Sequence, residues 1–522
     1  MAGVLQDQQD PSKLIVALAV SDYSGLSLET PSYYLDPAQA GLLEQHRAHI
    51  ARMLALAGIA DPEATAATIQ ALETKIAGTF TPQGGSVDVA AMNNLTPVAE
   101  LAERYPGVDW PTYLAAAGVD GEATVNVASP AQLAAFARLV ADEPLEVWQA
   151  YLTYHALKAA APYLPRAFVE ERFAFYGKTL QGQPEPTARA QRAVGDVKDA
   201  LPFALGEIYV KRYVDPASKA AAEAMVAEII AVYDARLAEL PWMTPATRAE
   251  ARAKLAKTVA KIGYPDVWPS SAGLEVAPGE ALGNAQRSEQ FRRANLLATL
   301  GKPVDRNAWT ERMWVFVANA TANAPTNELF VFAAILQPPF FDPKADPAVN
   351  YGGIGAVIAH EIGHLFDAVG RQFDGDGRVR DWWTPEDVAQ FEALSDKLAA
   401  QVSTYEVLPG QFVDGKATLY ESVPDISGIA VAYDAYQRSL KGVEPPVLDG
   451  FSGDQRFFLA WAQNWRAKTR DEKLAFDLKN DFHPPFEVRP YFARNIDAWY
   501  KAFDVKPGDK LYLPPEERVI IW

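Results

Sequence analysis

The sequence predicts a mainly α-helical protein with a small β-sheet, an α+β fold class, and three observations carry that reading. Long Ala-rich stretches place apolar residues three and four apart, the period of an amphipathic helix. One short run, ELFVFAAIL at 328–336, has the length and the β-branched and aromatic content of a buried strand. At 522 residues and 49% apolar, the chain can bury a large core and is expected to divide into two lobes.

Taken in order, the first apolar run, 14–20, is too short to span a membrane, and no basic segment followed by an apolar one opens the chain. As written, the sequence therefore predicts a soluble protein with no signal peptide and no membrane insertion. The charge balance, 48 basic against 66 acidic residues for a net −18, argues against nucleic acid or an anionic membrane as a partner. The absence of cysteine excludes disulfides, thiol catalysis and thiolate metal sites, and leaves the compartment open. From Asp36 to about Thr79 the period is helical, and His46 and His49 are read as a solvated helix face rather than a chelating pair. From 93 to about 284, helices such as SPAQLAAFARLVADE are broken by Pro and Gly, and His155 is expected to be a satisfied core histidine. After Trp309 the composition turns β-branched and aromatic, leading into the strand at 328–336. AVIAHEIGHLFDAVG, 356–370, follows as an apolar, Pro-free run with Gly352 and Gly353 before it and Gly370 at its end, which predicts a buried helix capped by glycines.

That helix carries the chemistry. His360, Glu361 and His364 spell H-E-x-x-H, and residues four apart on a helix stack on one face, so one metal ion can bridge both imidazoles. Glu361 lies one step round, within reach of a metal-activated water without being a ligand. A third ligand must come from elsewhere. In LYESVPDISGIAVAYDAY, Glu421 and Asp425 are four apart and share a helical face, so one can bind the metal while the other takes the free N–H of a ligand histidine. Asp367, three beyond His364, can serve the other histidine in the same way.

With these motifs the chain resembles the neprilysin-like (M13) zinc metallopeptidases of bacterial type, gluzincins with a thermolysin-like zinc site. The resemblance runs from GLSLETPSYYLD through FAFYGKTLQGQPE, KIGYPDVW, the long match around AVIAHEIGHLFD, and NIDAWYKAFDVKPGDKLYLPPEERVIIW. It implies a catalytic lobe and a helical lobe enclosing a central chamber, with 1–92 packing on the catalytic lobe, 93–285 as the helical lobe and 286–522 as the zinc catalytic lobe. It implies one Zn2+ per chain on His360, His364 and Glu421, with Asp367 and Asp425 steadying the histidines and Glu361 as the catalytic base. By the same resemblance Asn319 and Ala320 match the substrate-binding edge strand, His483 the histidine that stabilises the oxyanion, and Arg489 the arginine that grips the substrate carbonyl and helps orient a carboxylate ligand. The implied function is hydrolysis of peptide bonds in short peptides by a zinc endopeptidase; the sequence leaves the oligomeric state open, with a monomer expected. Members are typically membrane-anchored or secreted, and they carry further residues ahead of the first matching segment, so the resemblance implies an N-terminally shortened member whose missing part belongs to the catalytic lobe.

Several positions depart from the family pattern. Thr321 and Ala322 stand where aromatic residues are usual, and in Glu421-Ser422-Val423-Pro424-Asp425 the Asn and Ala of the Glu-Asn-x-Ala-Asp motif are Ser422 and Pro424. A proline costs about 3 kcal/mol in a helix interior and nothing in its first turn, so the placement of Glu421 turns on Pro424. Pro490, Tyr491 and Phe492 replace Val-Asn-Gly, Ile520 replaces an arginine, and an apolar WVFVA run precedes Asn319. These changes predict an altered, more apolar pocket. The alternatives are a repurposed or engineered zinc enzyme acting on an apolar or non-peptide small substrate, and a metal-holding binding scaffold with little turnover.

Overall fold

The computed structural model describes residues 2–18, 25–28, 30–80, 88–310 and 313–522; Ala19 and Val20, the end of the early apolar run, lie outside them. Near the N-terminus β1 (Ala2–Gln6) and β2 (Leu14–Leu18) form an antiparallel hairpin that pairs Ala2 with Leu18. With β3 (Leu95–Pro97) and β4 (Thr124–Val127) they make a four-stranded sheet in the order β1-β2-β4-β3.

The helical stretch at 36–79 contains two helices, α1 (Ala40–Leu56) and α2 (Pro62–Ala77), which pack on α3 (Leu145–Ala160). His46 and His49 are buried rather than solvated. Each lies four residues before a core side chain, Ile50 and Met53, so both fall within the apolar stripe of α1, and the ring of Phe175 packs against them with centroids 5.2 and 5.0 Å away. His49 Nδ1 meets Glu171 Oε1 at 2.8 Å. His155 is a satisfied histidine, its Nε2 lying 2.9 Å from the buried Glu73 carboxylate.

Farther along, α4 (Pro216–Glu239) and α5 (Pro245–Ala256) lead into β5 (Val259–Gly263). A second sheet orders β5 beside β7 (Glu328–Phe332) and β7 beside the edge strand β6 (Ala320–Asn323). All five residues of β7 are buried, but the strand stops at Phe332, short of the expected 336, because residues Ala333–Ile335 coil into a 3-10 turn.

The H-E-x-x-H helix, α6 (Ala356–Gly363), is shorter than 356–370 at its far end, and at its near end Gly355 is itself helical instead of closing the helix. It continues a helical run through Pro347–Asn350 and a π-helical segment, Tyr351–Gly355, so Gly352 and Gly353 sit inside the run. They serve close approach: a Cβ on Gly352 would lie 2.1 Å from the Phe457 carbonyl oxygen, and one on Gly353 2.6 Å from that of Phe340. Beyond it come α7 (Leu419–Ser439), α8 (Gly453–Asn464), which opens on a Ser452–Gln455 capping box, and α9 (Asp471–Asn480).

Three main cores result among the described residues. The largest joins Ala222–Ile262 side chains of α4, α5 and β5 to β6, β7, α6, α7, α8 and the C-terminal Trp522. A second gathers α1, α2 and α3, and takes Phe476 of α9; a third lies under the four-stranded sheet. The stretch 93–285 is thus shared among the cores, its last helices packing with the H-E-x-x-H helix. No helix among the described residues is long and apolar enough to cross a membrane.

Candidate metal centre and substrate cleft

The centre depends on how closely α6 and α7 approach. A Cβ on Gly428 of α7 would fall 2.7 Å from the Ala356 carbonyl oxygen and 2.9 Å from the His360 nitrogen, and one on Gly363 of α6 would fall 3.2 Å from Pro424 Cα. At Gly428 backbone meets backbone more closely than any Cβ tolerates, and at Gly363 the contact is tight. Pro424 lies inside α7, two positions past its first turn, and the helix runs on through it with Glu421 and Asp425 on the face toward α6.

The closeness brings three donor groups together. His360 Nε2 lies 3.1 Å from Glu421 Oε2, His364 Nε2 3.5 Å from Glu421 Oε1, and the two Nε2 atoms lie 3.1 Å apart. All three residues are buried, and their ligand atoms fall within 4.8 Å of one another. The opposite ring nitrogens face other carboxylates: His364 Nδ1 is hydrogen-bonded to Asp367 Oδ2 at 2.8 Å, and His360 Nδ1 lies 2.8 Å from Asp425 Oδ1 as an ion-pair contact, off the line of a hydrogen bond. With the proton on Nδ1 of each ring, both Nε2 lone pairs face the Glu421 carboxylate, an arrangement suited to a cation between them. Two imidazoles and one carboxylate make a donor set that fits zinc.

The outer partners are fixed in turn. Asp425, with no exposed surface, accepts from Arg489 Nε at 2.8 Å and from its terminal nitrogen at 2.6 Å, a bidentate pair. The guanidinium stands 3.6 Å over the Trp465 ring and 3.9 Å from Glu421 Oε2, so Arg489 orients Asp425 more directly than Glu421. Asp367 Oδ1 accepts from the Val369 and Gly370 backbone N–H groups. The buried Lys254 of α5 donates to the Gly370 and Phe373 carbonyls at 2.7 and 2.8 Å, tying that turn to the core.

Burial opposes charge on both histidines, yet Asp425 with Glu421, and Asp367 with Glu421, override it and raise His360 and, more strongly, His364. Burial likewise works against ionised Glu421, but the two imidazoles hold it far below the usual carboxylate range. Burial raises Glu361, with the histidines only partly offsetting it, which moves this carboxyl toward the range of a general base at neutral pH.

Glu361 and the donor groups line a cleft of about 710 Å³. One wall is the outer edge of β6 and the residues before it, with Asn319 exposed and Ala320 buried; among the described residues β6 pairs only with β7, which leaves its other edge free to pair. On the opposite wall His483 is partly exposed, its Nε2 3.4 Å from Glu421 Oε1. Asp481 Oδ1 accepts from the His483 backbone N–H and lies 2.7 Å from its Nδ1.

Most of the departures from the family pattern lie off this cleft. Thr321 and Ala322 line it, but Phe492 is buried beneath, Tyr491 stacks on Tyr405, and Ile520 is half-exposed elsewhere. Ser422 turns back to the Thr418 carbonyl at 2.9 Å. The expected shift to an apolar pocket is therefore confined to the β6 edge, because the other changed side chains pack into the core, onto Tyr405 or out to solvent instead of lining the cleft. Sequence reasoning missed Asp481, Trp465, Lys254 and Tyr420. Only Asp481 carried a local signal, an Asp two residues before a histidine.

A buried His-Glu-x-x-His helix, faced by a carboxylate from a second helix at the floor of a cleft, defines the metallopeptidase class. The chain belongs to peptidase family M13: residues 1–265 match the model of its N-terminal part and 319–519 that of its peptidase part. It is 28% identical to a neutral endopeptidase of Lactobacillus helveticus over 96% of this chain and 77% of that protein. Its structure is similar to that of Mycobacterium tuberculosis zinc metalloprotease Zmp1 in complex with an inhibitor, with a TM-score of 0.95 and 40% identity, covering all of this chain and 80% of that one. It is also similar to PepO from Lactobacillus rhamnosis, with a TM-score of 0.88 and 30% identity, covering all of this chain and 81% of that one.

Proposed function

We propose that the protein is a zinc-dependent endopeptidase that hydrolyses short peptides. The observation that carries this is the convergence of His360, His364 and Glu421 beside Glu361 on the floor of a cleft with a free strand edge. His360, His364 and Glu421 would hold one Zn2+, which supplies Lewis acidity at the reacting carbonyl and its attacking water.

The chain's own groups do the rest. The free edge of β6 pairs with extended substrate through main-chain hydrogen bonds, and Asn319 marks the end of that edge, so recognition makes little demand on side-chain sequence. Glu361 takes the proton from the attacking water and passes it to the leaving amine, a transfer suited to a carboxyl raised by burial. As an imidazolium, with Nδ1–H given to Asp481, His483 donates Nε2–H to the oxyanion of the tetrahedral intermediate. Arg489 holds Asp425, which fixes the His360 tautomer and presents its Nε2 to the ion. The cleft's modest volume favours short substrates.

Digestion of a mixed short-peptide pool by zinc-loaded protein, read by mass spectrometry, tests the proposal. Cleavage is expected, and Glu361→Gln is expected to abolish it while keeping one zinc per chain. A folded, zinc-loaded protein that leaves the pool intact sinks the peptidase reading and favours an apolar or non-peptide substrate, or a binding scaffold.

A further inference from the structure

Tyr420 is the second residue of α7, directly before Glu421, and it lines the cleft. Its ring stacks on His364, with centroids 4.5 Å apart and planes at 30°. It also meets Phe482 edge-on, 5.7 Å away at 77°, and Phe482 in turn stacks on His483 at 4.5 Å and 27°. Four rings thus run unbroken from a donor of the metal centre to the histidine on the opposite wall, His364, Tyr420, Phe482, His483.

Apart from these stacks, each histidine is held along one axis of its ring, at Nδ1 by an aspartate and at Nε2 beside Glu421. Asp367 at Nδ1 and Glu421 beside Nε2 both lie on the long axis of the His364 ring, which can still turn about that axis unless something blocks its face. His483 is held at Nδ1 by Asp481, which sits on the same irregular segment and moves with it. Tyr420 differs from both because it is fixed to a buried helix and shares that helix with Glu421. An aromatic face there blocks the turning of His364 and, through Phe482, ties the 481–483 segment to the frame of the donor carboxylate.

We propose that Tyr420 is a positioning residue that sets the ring plane of His364 and, through Phe482, the placement of His483 over the cleft. This rests on the reading of the centre as a zinc-peptidase site. The ring, not the hydroxyl, performs the role, so its contribution is of the size of an aromatic stack supporting a metal ligand, about tenfold.

The test uses the full chain loaded with Co2+, whose visible spectrum reports donor geometry, together with the rate of Zn2+ release to a chelator and the kcat and KM of the parent on one cleaved peptide. Tyr420→Ala is expected to alter the Co2+ spectrum, speed release about tenfold and lower kcat about tenfold, with KM within about twofold. Tyr420→Phe is expected to restore all of these. Phe482→Ala, which cuts the link to His483 and leaves the His364 stack in place, is expected to lower kcat while spectrum and release stay at parent values. Tyr420→Leu, which keeps apolar bulk without a ring, gives the same pattern as Tyr420→Ala and serves if that variant fails to fold. Folded Tyr420→Ala or Tyr420→Leu matching the parent in spectrum, release and kcat overturns the proposal. A parent chain that binds no Zn2+ or cleaves no peptide fails the peptidase reading instead, and is seen before any variant is compared.

Discussion

Removing the Asp425 carboxylate tests the outer support of the centre more severely than removing a donor does. Asp425 has no exposed surface, accepts two hydrogen bonds from Arg489, itself buried, and sits 2.8 Å from His360 Nδ1. In Asp425→Ala the guanidinium keeps the Trp465 face and a distant Glu421 oxygen but loses its counter-charge. Breaking a buried pair by deleting one partner costs about 3–5 kcal/mol, and loss of the Nδ1 acceptor costs about 10–100-fold in metal affinity. Asp425→Asn is graded between parent and alanine. With its amide oxygen placed to serve His360 and the Arg489 terminal nitrogen, its NH2 meets the Arg489 Nε–H, donor against donor, a loss of about 1.5–3 kcal/mol. Denaturant unfolding of the metal-free variants by tryptophan fluorescence, paired with zinc titration against a competing chelator, reads both quantities. Were Asp425→Ala to unfold within about 1 kcal/mol of the parent and bind zinc as tightly, the buried pair would not support the centre and the argument would be wrong.

Three further outcomes are expected. Gly428→Ala puts a methyl group 2.7 Å from the Ala356 carbonyl oxygen and wedges α7 away from α6; unfolding should cost about 1–3 kcal/mol and zinc affinity should fall, whereas a neutral variant would show that the close crossing is dispensable. Burial pushes the Lys254 ammonium from 10.5 down to about 7 despite Asp367 and Asp374, so its cost to folding is fully present below pH 7 and fades as pH rises toward 10.5; Lys254→Met should flatten the stability–pH curve across that window, and an unchanged slope would refute the assignment. In metal-free protein, raised His360 and His364 stabilise below their ordinary 6.5 and lose that effect as pH climbs through the raised values, while lowered Glu421 stabilises above its ordinary 4.5 and loses that effect as pH falls. Zinc must displace the imidazole protons, so its addition near pH 6.5 should release protons to an indicator dye, and binding without release would contradict the raised values.

Much of the centre was legible in the sequence because its logic is local. A four-residue spacing on a helix is enough to bring His360 beside His364, and again Glu421 beside Asp425 on one face, while the β-branched run before them marks a buried strand. The roles of the two carboxylates were not local. Spacing left open which would face the metal, and the crossing of α6 over α7 at Gly363 and Gly428 aims Glu421 at both Nε2 atoms and Asp425 at Nδ1 and Arg489. Tertiary packing also reversed the reading of His46 and His49, whose helix is covered on the side that periodicity alone assigned to water. The same holds for the altered positions near the motifs: Tyr491, Phe492 and Ile520 adjoin cleft or terminal residues in sequence but point elsewhere. What the sequence by itself determined was the set of donor groups and the helices that carry them, since backbone period fixes which side chains share a face. Only the tertiary structure decided which groups meet across helices, because that depends on close approach between segments distant in the chain.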